Sequence, residues 1–189
     1  MRIVRSSSIE DYASWYLQRE SRKGDAYEIP REPEQQVQAM RQRHEGKMRK
    51  WFSGTTLWHI VSLDDISDLA NLVFLESKWT KEEGLVVPDG KNYRILSRVA
   101  ENAKVGDYFG RPSARKHKAY YDQLLAGSLL LQGENRIAIC SAEPSEIASN
   151  PNARYYLLDG VGRCLPYMGL LNQGKLEYTP VEAFRADKQ

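Results

Sequence analysis

Between residues 159 and 163 the chain reads Asp159-Gly160-Val161-Gly162-Arg163, a carboxylate, two glycines and a guanidinium in close succession. Residues of these types at this spacing suit the holding of a phosphate. Glycines let backbone amides approach a ligand closely. A helix that starts here presents unpaired N–H groups, a natural seat for an anion. Arginine adds a planar fork of donors beside them. The plainer reading is an ordinary strand-to-helix connection with Arg163 at the surface. A second set of cations stands at Arg111, Arg115 and Lys116, followed by His117 and Lys118. Cations in the first turn of a helix oppose its dipole, so they either project into water or lie near an anion. Asp107 is the nearest carboxylate upstream of them and Glu101 the next.

The elements that must position these residues follow from pattern. Tyr155 to Leu158 is an aromatic and aliphatic run of high β-propensity. Val161, Leu165, Met168 and Leu171 recur at roughly helical spacing. Together they predict a strand, a tight glycine turn and a helix. Pro166 fits a helix that starts near Arg163 or Cys164 and implies a kink if it starts earlier. Upstream, Arg136 to Cys140 reads as a short apolar strand. Glu143 to Ala148 reads as a short helix with Pro144 in its first turn, stopped by Asn150-Pro151. Ser113 to Gly127 is expected to be a helix with Ser113 as N-cap, leading into a strand at Ser128 to Leu131. Glu177 to Phe184 is a last strand after the turn at Asn172-Gln173-Gly174.

This order of elements resembles the ParB/sulfiredoxin superfamily, from about Asn92 to Ala186. There a glycine-arginine turn between a strand and a helix receives the phosphates of a nucleotide. Asp159-Gly160-Val161-Gly162-Arg163 stands where that superfamily has Asp-Gly-His-x-Arg or similar sequences, with Gly160 and Arg163 the typical positions. Val161 takes the place of the usual His or Glu, and Cys164 follows the Arg rather than preceding a His-Arg pair. Sulfiredoxin chemistry is therefore not carried over. The resemblance implies that Gly160, Val161, Gly162 and Arg163 bind the nucleotide, ATP or another. It also sets Arg111, Arg115 and Lys116 across from the turn, where substrate and nucleotide meet. Asp107 would serve as catalytic base or metal ligand. Asp159 would brace the loop, take part in catalysis or help hold Mg²⁺. Tyr120, Tyr121 and Tyr156 are candidates to stack on a base, with core packing the default for each.

The chain has 189 residues, 41% of them hydrophobic and 28% charged, with a net charge of +2. That suits a real core and does not demand a nucleic-acid partner. Two cysteines, Cys140 and Cys164, lie in apolar elements and read as buried small hydrophobes rather than a disulfide. His44, His59 and His117 form no metal-binding pattern with them. No run approaches the roughly 20 apolar residues of a membrane span, and a cytoplasmic protein is expected.

Residues 1–90 are expected to form a helical to mixed region and 91–189 the phosphate-binding domain, a small mixed α/β sheet with packed helices. In the first region, Ser7 and Glu10 are spaced like a capping box. Ile9, Tyr12, Ala13, Tyr16 and Leu17 give the following helix an apolar face that ends by Gly24. A second helix is expected from Glu34 to Phe52. Its basic half, Arg41 to Lys50, is either a solvated helix end or a nucleic-acid surface. Thr55 to Leu63 reads as a strand, Asp64-Asp65 as a helix cap, and Glu76 to Glu83 as a polar linker. Leu85 to Val87 and Tyr93 to Val99 read as a hairpin about Pro88-Asp89-Gly90.

Two functions follow from these expectations. The first is a nucleotide-dependent phosphotransferase, kinase-like towards a small-molecule acceptor, or a nucleotide hydrolase. The second is a ParB-like module that binds nucleotide as a switch and engages DNA or protein without turnover. A third reading keeps the fold as a scaffold that has lost the nucleotide.

Overall fold

The apolar residues of the strands alternate between two faces, as the period of two in a pleated strand requires. Ile137 and Ile139 join one core, Ala138 and Cys140 the other. Val61 and Leu63 join the first, Trp58 and Ile60 the second, and the same division separates Val181 and Ala183 from Phe184 and Ala186. A sheet that is apolar on both faces must be covered on both. The computed structural model describes residues 1–22, 28–43, 57–74, 78–87, 94–105 and 107–188, and in it helices cover both faces.

The strands are β1 (Arg2–Ser7), β2 (Leu57–Leu63), β3 (Ile137–Ser141), β4 (Tyr155–Asp159) and β5 (Val181–Asp187), in sheet order β1-β2-β5-β3-β4. β3 and β5 are parallel and the other pairs antiparallel. The fold is therefore mixed α/β, as expected. β2 pairs with β5 along its whole length, Leu57 opposite Asp187 and Leu63 opposite Val181. The sheet thus crosses the boundary expected near residue 90.

The helices are α1 (Ile9–Ser21), α2 (Pro33–Arg43), α3 (Ile66–Ala70), α4 (Lys78–Glu82), α5 (Leu96–Val105), α6 (Arg115–Leu125), α7 (Pro144–Ser149) and α8 (Val161–Asn172). α1 and α2 pack on one face through Tyr12, Leu17, Val37 and Met40. α5, α6 and α8 cover the other through Leu96, Val99, Leu124, Leu165 and Met168. Among the described residues no helix is long and apolar enough to cross a membrane.

Several local expectations are corrected. The capping box at α1 is formed one residue later than expected. The Ser8 hydroxyl accepts from the Asp11 amide, and the Asp11 carboxylate accepts from the Ser8 amide, while Ser7 belongs to β1. Lys78–Glu82 is a helical turn, not linker. The expected hairpin gives way to α5, because Leu96, Val99, Ala100 and Ala103, all fully buried, follow a helical rather than a strand period. Its turn, Pro88-Asp89-Gly90, lies outside the described residues, as does the basic stretch from His44 to Lys50 beyond α2. Ser113 caps nothing. Pro112–Ala114 forms a 3-10 turn, and α6 starts at Arg115 with no side-chain cap. Ser128 to Leu131 is not a strand. Leu131 meets β5 through one bond, its carbonyl accepting from the Glu182 amide at 2.9 Å.

Candidate functional site

The site grows from the end of β4. Ala138 pairs with Asp159, but the next residue, Ile139, pairs with Leu157, so β4 carries one extra residue at Leu158. Such a bulge re-aims the side chains around it. Cross-strand partners share a face, so Asp159 stands on Ala138's side of the sheet, the side that α1 covers. There its carboxylate meets Arg19 of α1 in an ion pair. Arg19 also pairs with Glu20 at 2.7 Å and lies over the Trp15 ring, 4.8 Å from its centroid.

Gly160 then makes the turn at φ +101°. An added Cβ would lie 2.6 Å from Ile137 Cγ2, so both the backbone angle and the neighbour require glycine here. α8 starts at Val161; the Arg163 and Cys164 amides donate to the Gly160 carbonyl at 2.9 and 2.8 Å, which leaves the Val161 and Gly162 amides without a helical partner. Pro166 lies inside the helix, leaving the Gly162 carbonyl without its usual donor. Gly162 has a second duty that the sequence did not reveal. A Cβ there would come within 3.2 Å of Tyr120 and 3.3 Å of His117, so this glycine lets α6 close on the start of α8.

Arg163 turns inward rather than to the surface and is 4% exposed. One guanidinium nitrogen donates to the Arg136 carbonyl at 3.0 Å and lies 3.6 Å from Asp159. Its Nε is buried with no hydrogen-bond partner. Burial lowers the pKa of Arg163, and burial followed by the facing charge of Arg163 lowers that of Arg19. Both sit far above neutrality in ordinary surroundings and stay charged.

These groups line a cavity of about 520 Å³, bounded also by Lys116, His117, Ala119, Tyr120 and Gln123 of α6. The expected residues Asp159, Gly160, Val161, Gly162, Arg163 and Lys116 are thus brought together. Asp107, Arg111 and Arg115 are not among the lining residues. Asp107 is exposed in a left-handed conformation, φ 47°, with its carboxylate against Gly110. Arg111 pairs with Glu83 at 3.1 Å, and Arg115 is exposed at the start of α6. Tyr121 packs against Phe109 with ring centroids 5.1 Å apart, and Tyr156 packs beside the core under α1.

Two titratable lining residues went unassigned in the sequence. Arg19 arrives from the far end of α1, and no local pattern announces it. His117 stood in a basic run, and only the fold shows its partner, the buried Tyr108, whose Oη lies 2.6 Å from His117 Nδ1. Burial, aided by Lys116, lowers the pKa of His117. Burial, with the Glu83 charge, pushes that of Tyr108 up to about 12.

Three cations, Arg19, Lys116 and Arg163, face this cavity, and Asp159 is the only carboxylate among the described residues that line it. Asp159 fits a metal poorly, since Arg19 holds it and Arg163 stands beside it. No group of three or more His, Cys, Asp or Glu among the described residues is arranged to hold an ion. An Mg²⁺ accompanying a nucleotide would be held by phosphates and water.

Comparison of the chain with protein-family models, with curated proteins and with solved structures finds no match.

Proposed function

We propose that the cavity at the start of α8 binds the phosphates of a nucleotide and that the protein transfers or hydrolyses the terminal phosphate. One observation carries this reading. A buried arginine, Arg163, whose Nε has no hydrogen-bond partner, lines a cavity where cations outnumber carboxylates. An anion is the ligand that would offset that excess charge. The first amides of α8 add donors of the same sense. Lys116, exposed at the rim, supplies a cation that a phosphate chain can reach.

The size suits the reading. About 520 Å³ lies within the range of small-molecule sites. Tyr120 and Val161 give it an apolar wall for the rest of the ligand. Phosphoryl transfer needs positioning and charge neutralisation more than covalent help, and the lining residues supply both. The strand, glycine turn and helix that resemble the ParB/sulfiredoxin superfamily support the same ligand.

The alternative is a module that binds nucleotide without turnover. Its favouring observation is that Asp107, the expected base, does not line the cavity. A thermal-shift series with ATP, ADP and pyrophosphate, run with Mg²⁺, tests the shared part of both readings. A ligand that binds only the native state raises apparent stability, and a flat series would remove both. Release of phosphate from ATP separates them.

A further inference from the structure

The cavity at the start of α8 has unlike walls. On one side Asp159 pairs with Arg19 and lies beside Arg163, so the charges there are engaged with one another. The wall from α6 is different. Lys116 and Tyr120 stand four residues apart, on one face of the helix and about 6 Å apart along its axis, and both line the cavity. Tyr120 is half-buried and packs against the first core. The other aromatic residues on this side of the sheet pair among themselves, Phe109 with Tyr108 and Tyr121, at ring centroids 5.5 and 5.1 Å apart. Tyr120 has no ring partner and no hydrogen bond among the described residues.

A ring packed on the core, without an aromatic partner and bordering a cavity suits a flat aromatic group of a ligand, since aromatic pairs gain beyond the area they bury. Every nucleobase has such a π-face. The start of α8 ties this ring to the phosphate seat. Tyr120 Cε2 and Cδ2 lie 3.2 and 3.5 Å from the point that a Cβ on Gly162 would take. A base on Tyr120 and phosphates at the Val161 and Gly162 amides are therefore within the span of one nucleotide, with Lys116 one turn back along α6. An inorganic polyphosphate would use the cations and the amides and leave the ring uncovered. We propose that Tyr120 is the stacking platform for a nucleobase, so that the site selects nucleoside polyphosphates over inorganic polyphosphate. This rests on the phosphate reading above.

The test is calorimetric titration of the full chain, with Mg²⁺ present, comparing tripolyphosphate with ATP, GTP, CTP and UTP. The tightest-binding nucleotide is expected to exceed tripolyphosphate in affinity by at least about tenfold, the scale of one base–aromatic stack. Tyr120→Phe is expected to keep that gap, because it keeps the ring. Tyr120→Leu is expected to close it to within threefold while leaving the affinity for tripolyphosphate within threefold of wild type. A wild-type gap below tenfold overturns the proposal and leaves the phosphate reading standing. So does a gap above threefold in Tyr120→Leu, its loss in Tyr120→Phe, or a larger change in tripolyphosphate affinity. Binding of neither tripolyphosphate nor any nucleotide overturns the phosphate reading and this proposal with it. Should Tyr120→Leu not fold by circular dichroism, photocrosslinking of the wild type with a base-azido form of the tightest nucleotide decides. Label on Tyr120 or within one turn of it on α6 is expected, and label confined to other elements overturns the proposal.

Discussion

Arg163 donates from its guanidinium to the main-chain oxygen of Arg136 at 3.0 Å, tying the first turn of α8 to the residue that precedes β3. Arg136 in turn donates to Glu182 at 3.0 Å and lies over the Phe184 ring of β5. The side chain proposed to bind an anion is therefore also a joint between α8 and the middle of the sheet.

Arg163→Ala should accordingly destabilise the fold as well as weaken ligand binding. It strands the Arg136 carbonyl, a loss of about 1–3 kcal/mol for a buried acceptor left without a donor. Urea unfolding followed by circular dichroism reads this as a lower midpoint at unchanged slope. A midpoint equal to wild type would mean that the joint contributes nothing.

The two glycines of the turn should separate. Gly160→Ala places a Cβ 2.6 Å from Ile137 Cγ2 at φ +101°. Left-handed strain and overpacking together suggest a loss of about 2–4 kcal/mol. Gly162→Ala meets Tyr120 and His117 at 3.2–3.3 Å, while alanine gains about 1 kcal/mol of helix propensity. Its stability should stay close to wild type, and its effect should appear in ligand affinity, since the new methyl presses on the cavity wall. Thermal midpoints of the two variants, with and without ATP, check this ordering.

Cys164 is fully buried, and burial pushes its thiol up to about 12, against an ordinary value of 9.0. Thiolate is the reactive form, so a thiol reagent at pH 8 should label Cys164 only after unfolding. The same shift sets a stability trend. The thiol ionises earlier in the unfolded chain, so its contribution is fully present below about pH 9 and is lost as pH rises towards 12. Cys164→Ala should flatten that alkaline decline. Rapid labelling of the folded protein would contradict the burial.

Much of the site was legible in the sequence because it is local. The run Tyr155 to Leu158, the breaker at Gly160 and the helical spacing from Val161 to Leu171 lie side by side, and they form β4, the turn and α8. The cap at Asp65 was legible for the same reason, its carboxylate accepting from the Ser67 amide at 2.7 Å. What escaped was tertiary. Arg2–Ser7 is exposed along nearly its whole length and carries no burial pattern to mark it as a strand. Leu129 and Leu131 are buried around an exposed Leu130, an alternation that imitates a strand without a ladder. Arg19 reaches Asp159 only because the bulge at Leu158 turns that carboxylate towards α1. Ser113 lost its capping role to the 3-10 turn that Pro112 begins. Asp107 was favoured by its nearness in sequence to α6, yet the left-handed turn directs its carboxylate to Gly110.

The most direct measurement is calorimetric titration of pyrophosphate into the wild type and into Lys116→Ala. Lys116 is exposed at the cavity rim, so its truncation tests the ligand without disturbing the joint that Arg163 makes. The account predicts saturable binding of one pyrophosphate per chain. It predicts that affinity falls about tenfold in the variant, the loss of one charge-assisted contact of roughly 1.5 kcal/mol. No binding to the wild type, or equal affinity in both proteins, would contradict a phosphate site at the start of α8.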